Sequence, residues 1–263
     1  MLNYLSEIFK RKDLLIYLVK SGLKAENRNS YLGYFWWLLD PLLNVAVYYF
    51  LVVVLIGRGG PGYPVFLVIG LVVWRWINTT INSSAKSITK YSSIINQVYL
   101  PKAIFPLALS LTQLFNFCFG LIVIGIFLGA FGYIPGWQVI LLPIVIFITL
   151  LFLIALSLCV SYITVFVRDI DNVLSHILRI FFYASPIIWE GSRLANSPLP
   201  DQFMILLDWN PVAILLDAYR AILMEHHTPQ FLGLGVLAVI SIIVICLMLY
   251  HFYKNEHKII KVL

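Results

Sequence analysis

The stretch FVRDIDNVLSHILRIFFYASPI, residues 166–187, decides how this chain folds. Its apolar spacing reads as the start of a membrane helix, yet Arg179 and Pro186 lie inside the run. A charge at bilayer depth costs about 2.5–3.5 kcal/mol on insertion scales. Proline removes a helical hydrogen bond that hydrocarbon cannot replace. Such a segment survives where protein or a watered passage shields it, so this helix is expected to face inward.

The surrounding sequence supplies the membrane. Of 263 residues, 61% are hydrophobic and 11% charged, against roughly 45–50% and about 25% in soluble domains. A bilayer core needs about 20 apolar residues per helical crossing. Such runs are drawn at 34–56, 63–83, 104–131, 137–167, 173–190 and 230–252, giving an all-α integral membrane protein with six transmembrane helices. The long fourth run is either one tilted helix or a helix broken near Ser157. Cys118, Cys159 and Cys246 each sit in an apolar run, which leaves neither disulfide nor metal-ligand spacing. The first thirty residues hold no apolar core followed by a cleavage site, so no removable signal peptide is expected.

Cations orient the spans, because lysine and arginine in short loops stay on the cytoplasmic side. They cluster before the first span, between the second and third at Lys86, Lys90 and Lys102, and after the last at Lys254, Lys258 and Lys261. Arg58, Arg193 and Arg220 fall on the other side with Glu190, Asp201, Asp208, Asp217 and Glu225. Both termini are therefore read as cytoplasmic, and the +6 formal charge reflects this asymmetry and not nucleic-acid binding. The chain divides into a cytoplasmic segment at 1–33, a membrane domain at 34–252 and a cytoplasmic basic tail at 253–263.

Three segments do not span. Residues 13–27 put Leu14, Leu15, Leu18, Gly22 and Ala25 near one helical face and Lys12, Lys20 and Lys24 on another, as in an interface helix lying in the headgroup plane. The cytoplasmic loop 84–103 has helical apolar spacing at Ile88, Tyr91, Ile94, Ile95 and Val98, ended by Pro101. The external segment 191–229 ends in NPVAILLDAYRAILME, too short to cross, which either re-enters the outer leaflet as a helical hairpin or forms a surface helix.

Polar residues at depth mark candidate sites. Asp40, Arg75 and Arg179 lie at similar depth in the inner half, and two cations against one anion leave one positive charge suited to a phosphate. Tyr34, Trp37, Pro41, Asn44 and Tyr48 form one helical stripe on the first span. Arg75, Asn78, Thr79 and Asn82 share a face on the second, and Arg179, Phe182, Tyr183, Pro186 and Glu190 do so on the fifth. Rings with polar tips suit a sugar or polyol surface, although belt anchoring explains Trp36, Trp37, Trp74 and Trp76 equally well.

Nucleotide and metal chemistry find no motif. GRGGPG at 57–62 lacks the lysine of a phosphate loop and reads as a turn, and His226 with His227 lacks the spacing of a metal site. No cofactor is expected on this chain.

Five motifs in order then resemble the permease subunits of bacterial ATP-binding cassette exporters for polysaccharides and polyol-phosphate polymers. They are NSYLGYFWWLLDP at 29–41 with Leu32, Gly33 and Pro41, and LPKAIFP at 100–106 with Pro101 and Pro106. VRDIDNV at 167–173 follows with Arg168 and Asp169, then FYASPIIW at 182–189 with Ser185 and Pro186. Last come Asn210 and Pro211, followed by AYR at 218–220, which ends in Arg220. Asn29, Ser30 and Tyr31 replace the commoner arginine-rich spelling. The details look most like the wall teichoic acid branch.

The resemblance implies a homodimer with a pathway between two copies, and two ATP-binding cassette subunits below that hold ATP and Mg2+. It implies a coupling helix at 86–100, with Lys86, Lys90, Tyr91, Ile94, Ile95 and Val98, and an undecaprenyl-diphosphate-linked polymer as substrate. It places the protein among membrane lipids in a bacterial plasma membrane, with a Gram-positive cell expected. O-antigen or capsular polysaccharide export is the alternative within the same family. Outside it stand a passive channel and a lipid-linked glycosyltransferase using the pair Asp169 and Asp171.

Overall fold

A computed structural model describes residues 2–27, 31–57, 59–60, 62–95, 100–167, 169–190 and 209–262. All regular structure among them is helical. The helices are α1 Leu2–Lys10, α2 Lys12–Asn27, α3 Trp36–Tyr49, α4 Tyr63–Ala85, α5 Ser87–Lys90, α6 Ser92–Ile95, α7 Ile104–Ala130, α8 Leu142–Phe166, α9 Ile170–Ala184, α10 Pro211–Leu223 and α11 Phe231–Val262. Five segments are long and apolar enough to cross a membrane: Trp36–Leu55 (α3 and the π-helical Phe50–Leu55 that continues it), α4, Trp137–Phe166 (a short 3-10 turn and α8), α7 and α11.

The bundle is organised around α4, 83% of whose apolar window is buried, against 17% for α3. Small and hydroxyl residues let neighbours close in, as membrane helix packing requires. A side chain at Gly120 of α7 would meet Val72 of α4, and Ser84 of α4 and Ser110 of α7 each donate to Ser157 of α8, at 2.9 and 3.1 Å. That trio binds three helices in the core. It also settles the fourth run, because α8 passes through Ser157 unbroken.

The sixth expected crossing is different. Helix α9 has 15 residues, too few to span alone, and stops where Ser185 turns extended ahead of Pro186. The segment is nonetheless tied to both ends of α4: Lys86, just past its C-terminus, pairs with Asp171 at 2.6 Å, and the Tyr63 hydroxyl at its N-terminus donates to Ile188 O at 2.8 Å. The chain from Asp171 to Ile188 therefore runs the length of the central helix as helix, then turn.

A second core gathers at the end of the bundle where the termini meet. Tyr4, Leu18, Ile88, Ile95, Phe105, Phe252 and Ile259 pack there, and Lys102 meets Glu256 at 3.1 Å, both buried. Residues 253–262 thus continue α11 as a docked helix, and Tyr253 touches Tyr4 with ring centroids 6.0 Å apart. Helix α2 lies along α7 with Leu18 buried, Leu14 and Leu15 half-buried and Gly22 against Thr112, while Ala25 is exposed. Helix α1 precedes it and was not expected.

Within its described part, 86–95, the loop helix expected at 86–100 is instead two single turns, α5 and α6, parted at Tyr91. Ile88 and Ile95 are drawn into the second core and Tyr91 stacks on Phe105 at 5.0 Å, so the chain bends to bury them. The side chain of Ile94 and all of Val98 lie outside the described residues.

Candidate functional site

The three polar stripes come together. Asp40, Pro41, Asn44 and Tyr48 of α3, Arg75, Asn78, Thr79 and Asn82 of α4, and Arg179, Phe182 and Tyr183 of α9 line one open cleft of about 540 Å³. Helical periodicity of 3.6 explains why each set shares a face. Arg75 Nη2 meets Asp40 Oδ2 at 2.8 Å, which joins the loosely packed α3 to α4. Arg179 is exposed on the cleft wall and has no ion pair among the described residues, so the cleft keeps one positive charge. Its other polar groups are held locally: Thr79 donates to Arg75 O at 2.7 Å, Asn44 to Asp40 O at 2.8 Å and Asn82 to Asn78 at 2.9 Å.

Rings close one part of this cleft. Phe182 is buried, 5.6 Å from Tyr48, 5.7 Å from Trp74 and 5.1 Å from Tyr183 between centroids, while Tyr183 stays exposed. Trp37 does not line the cleft, contrary to the sequence stripe. It packs on Phe115 and Phe119 of α7 at 6.0 and 4.8 Å, because α7 covers this face of α3 in its first turn. The side chain of Tyr34 lies outside the described residues. No group of three or more histidine, cysteine or acidic residues placed to hold a metal occurs among the described residues.

At the terminal end, Lys86 and Lys90 are exposed and Lys90 Nζ sits 5.8 Å from the Tyr91 ring. Burial raises the Tyr91 phenol above its ordinary value, so it stays neutral. Lys86, Thr89, Lys90, Thr164, Asp171 and Val262 border a groove of about 530 Å³. Of the acidic pair, Asp171 is committed to Lys86, and Asp169 caps α9 with its carbonyl and not its carboxylate. Arg168 lies outside the described residues. Leu32 and Gly33 form the turn into α3, and Pro101 and Pro106 frame the start of α7, where a first-turn proline is tolerated.

The sequence named Arg220 as the end of the AYR motif and put it on the external side, and its burial was not foreseen. Arg220 is 3% exposed in the core. Its Nη1 donates to Pro186 O at 2.6 Å and its Nη2 to Ile187 O at 3.1 Å and Phe66 O at 3.5 Å, while the guanidinium lies 3.5 Å from the Phe66 ring centroid. With Tyr63 on Ile188, three successive carbonyls freed by the break at Pro186 find side-chain donors. The signal was present: Val212, Leu216 and Arg220 form one i, i+4 row on α10 whose other members are apolar. Helix α10 is buried along most of its length. Asn210 completes the corner, accepting from Val212 N at 3.0 Å and donating to Ser185 at 2.9 Å.

A helical bundle with several apolar spans, a charged and aromatic cleft at depth and a polar groove at its terminal end is the build of a multi-pass membrane transport subunit. The chain belongs to the ABC-2 type transporter family, which it matches over residues 13–224. It is 31% identical over 245 residues, 93% of each chain, to the O-antigen export system permease protein RfbA of Myxococcus xanthus. It is 27% identical over 255 residues, 95% of each chain, to the protein of that name from Klebsiella pneumoniae. The chain is thus a membrane subunit of an ATP-binding cassette exporter, a transporter component and not itself a catalyst.

Proposed function

We propose that this chain forms, with a second copy, the passage through which a lipid-linked polysaccharide of the O-antigen class leaves the cytoplasm. The cleft carries the proposal: an arginine with no ionic partner among the described residues, beside the exposed ring of Tyr183 and the partly covered ring of Tyr48, suits a substrate with an anionic headgroup and a sugar chain. A guanidinium forks onto a diphosphate, and tyrosine faces let successive sugars slide. The names of the relatives favour O-antigen over the teichoic acid substrate expected from sequence, and lend no support to a Gram-positive cell.

In this reading the terminal end is cytoplasmic, by its lysines. The segment 171–188 counts as the sixth crossing, and the nucleotide-binding subunits, with their ATP and Mg2+, engage the groove beside Lys86 and Lys90. The α3 face, little buried within one chain, adjoins the second copy. The glycosyltransferase alternative loses its acid pair, since Asp171 is spoken for by Lys86. Reconstituting the chain with its cassette ATPase in proteoliposomes tests the proposal. ATP-dependent movement of a labelled lipid-linked polysaccharide is expected, and movement without ATPase or ATP would replace the exporter by a channel.

A further inference from the structure

The corner formed by the end of α9 and the start of α10 has no helix to satisfy its buried backbone, where an unmet carbonyl is costly. Arg220 answers two of its carbonyls at once, those of Pro186 and Ile187, and reaches Phe66 O on α4 with the same Nη2. A planar guanidinium can serve adjacent acceptors from one plane while resting on a ring, and an ammonium cannot. The seat is shaped for it: a side chain at Gly70 of α4 would come within 2.6 Å of Ile187 O and 2.8 Å of Arg220 Nη2. A second tie, Asn210 to Ser185 at 2.9 Å, joins the same two segments. A third, Trp189 Nε1 to Tyr183 O at 3.1 Å, returns the corner to the cleft wall.

No carboxylate forms an ion pair with Arg220 among the described residues. Burying a cation is expensive, and an apolar residue of the same volume often stabilises as well or better. What an apolar residue cannot supply is a directional link between α10 and the corner carbonyls.

We infer that Arg220 is a positioning residue that makes α10 and the Phe182 and Tyr183 wall of the cleft one rigid body, seated on Gly70. The inference rests on the cleft being the passage. A displacement of α10 then moves the aromatic wall, so the corner transmits motion between α10 and the polymer path. Substrate need not touch Arg220 for its loss to change transport.

Hydrogen exchange on the exporter complex in lipid nanodiscs, without substrate, tests the link. Arg220→Lys and, separately, Gly70→Ala are expected to speed exchange about tenfold in residues 182–189 and 211–223 together, leaving α7 and the middle of α8 unchanged. Export should fall while ATP hydrolysis persists. Gly70→Ala keeps every donor but sets a methyl against Ile187 O, so Ser185→Ala, which cuts only the Asn210 tie and adds no bulk, decides with the same paired increase expected if neither of the other variants assembles. Unchanged exchange at 182–189 overturns the link. Faster exchange with normal export overturns the positioning role and leaves only a structural one. Because exchange is read without polymer, a wrong substrate assignment would not alter this result.

Discussion

Arg75 of α4 and Asp40 of α3 face each other at 2.8 Å and are the one ion pair between these helices among the described residues. Both side chains are partly exposed to the cleft, so the pair contributes little to stability, about 0–1 kcal/mol. It joins α3, the least buried span, to α4 beside the cleft. Asp40→Asn is therefore expected to lower export several-fold with assembly and thermal stability nearly unchanged. The double exchange Asp40→Arg with Arg75→Asp should recover part of the loss, measured as ATP-driven polymer movement in proteoliposomes.

Arg179 lines the same cleft without an ionic partner among the described residues. Arg179→Ala should assemble normally and export poorly, and Arg179→Lys should keep part of the activity because it retains charge but loses the planar fork. Comparing polymer export with detergent-solubilised yield separates transport from folding.

Neighbouring rings should behave differently. Tyr183 is exposed and Tyr48 only partly covered, so Tyr183→Ala and Tyr48→Ala are expected to impair export while ATP hydrolysis and melting temperature hold. Phe182 is buried among Tyr48, Trp74 and Tyr183, so Phe182→Ala should destabilise by about 3–5 kcal/mol. A thermal melt of the three variants checks the contrast.

Lys102 and Glu256 form a buried pair linking the start of α7 to the end of α11. Removing one partner leaves a charge without its counter-ion, and Glu256→Gln or Lys102→Met should cost about 3–5 kcal/mol. Replacing both with methionine should cost much less. Melting temperatures of the single and double variants give the coupling.

Much of this architecture was legible in the chain. The apolar runs located five crossings, and period 3.6 put Asn44 and Tyr48, Arg75 and Thr79, and Arg179 and Phe182 on the faces that meet in the cleft. Periodicity fixes which residues share a face but not which neighbour covers it. Trp37 belongs to the α3 stripe and yet packs on α7. Charge placed Arg220 on the external side but said nothing of its burial, although its apolar row on α10 pointed inward. Ile88 and Ile95 carry helical spacing, but the second core pulls both inward and bends the loop at Tyr91. Nor could the local pattern reveal that Lys102 and Glu256, 154 positions apart, would neutralise each other.

The central claim is that this chain carries a lipid-linked polysaccharide across the membrane. Mass spectrometry of lipid extracts from cells depleted of the chain tests it most directly. Accumulation of a long sugar chain on a polyprenyl diphosphate, restored to normal by the wild-type chain and not by Arg179→Ala, is the predicted result. Unchanged lipid-linked polysaccharide, with its surface display intact after depletion, would contradict it.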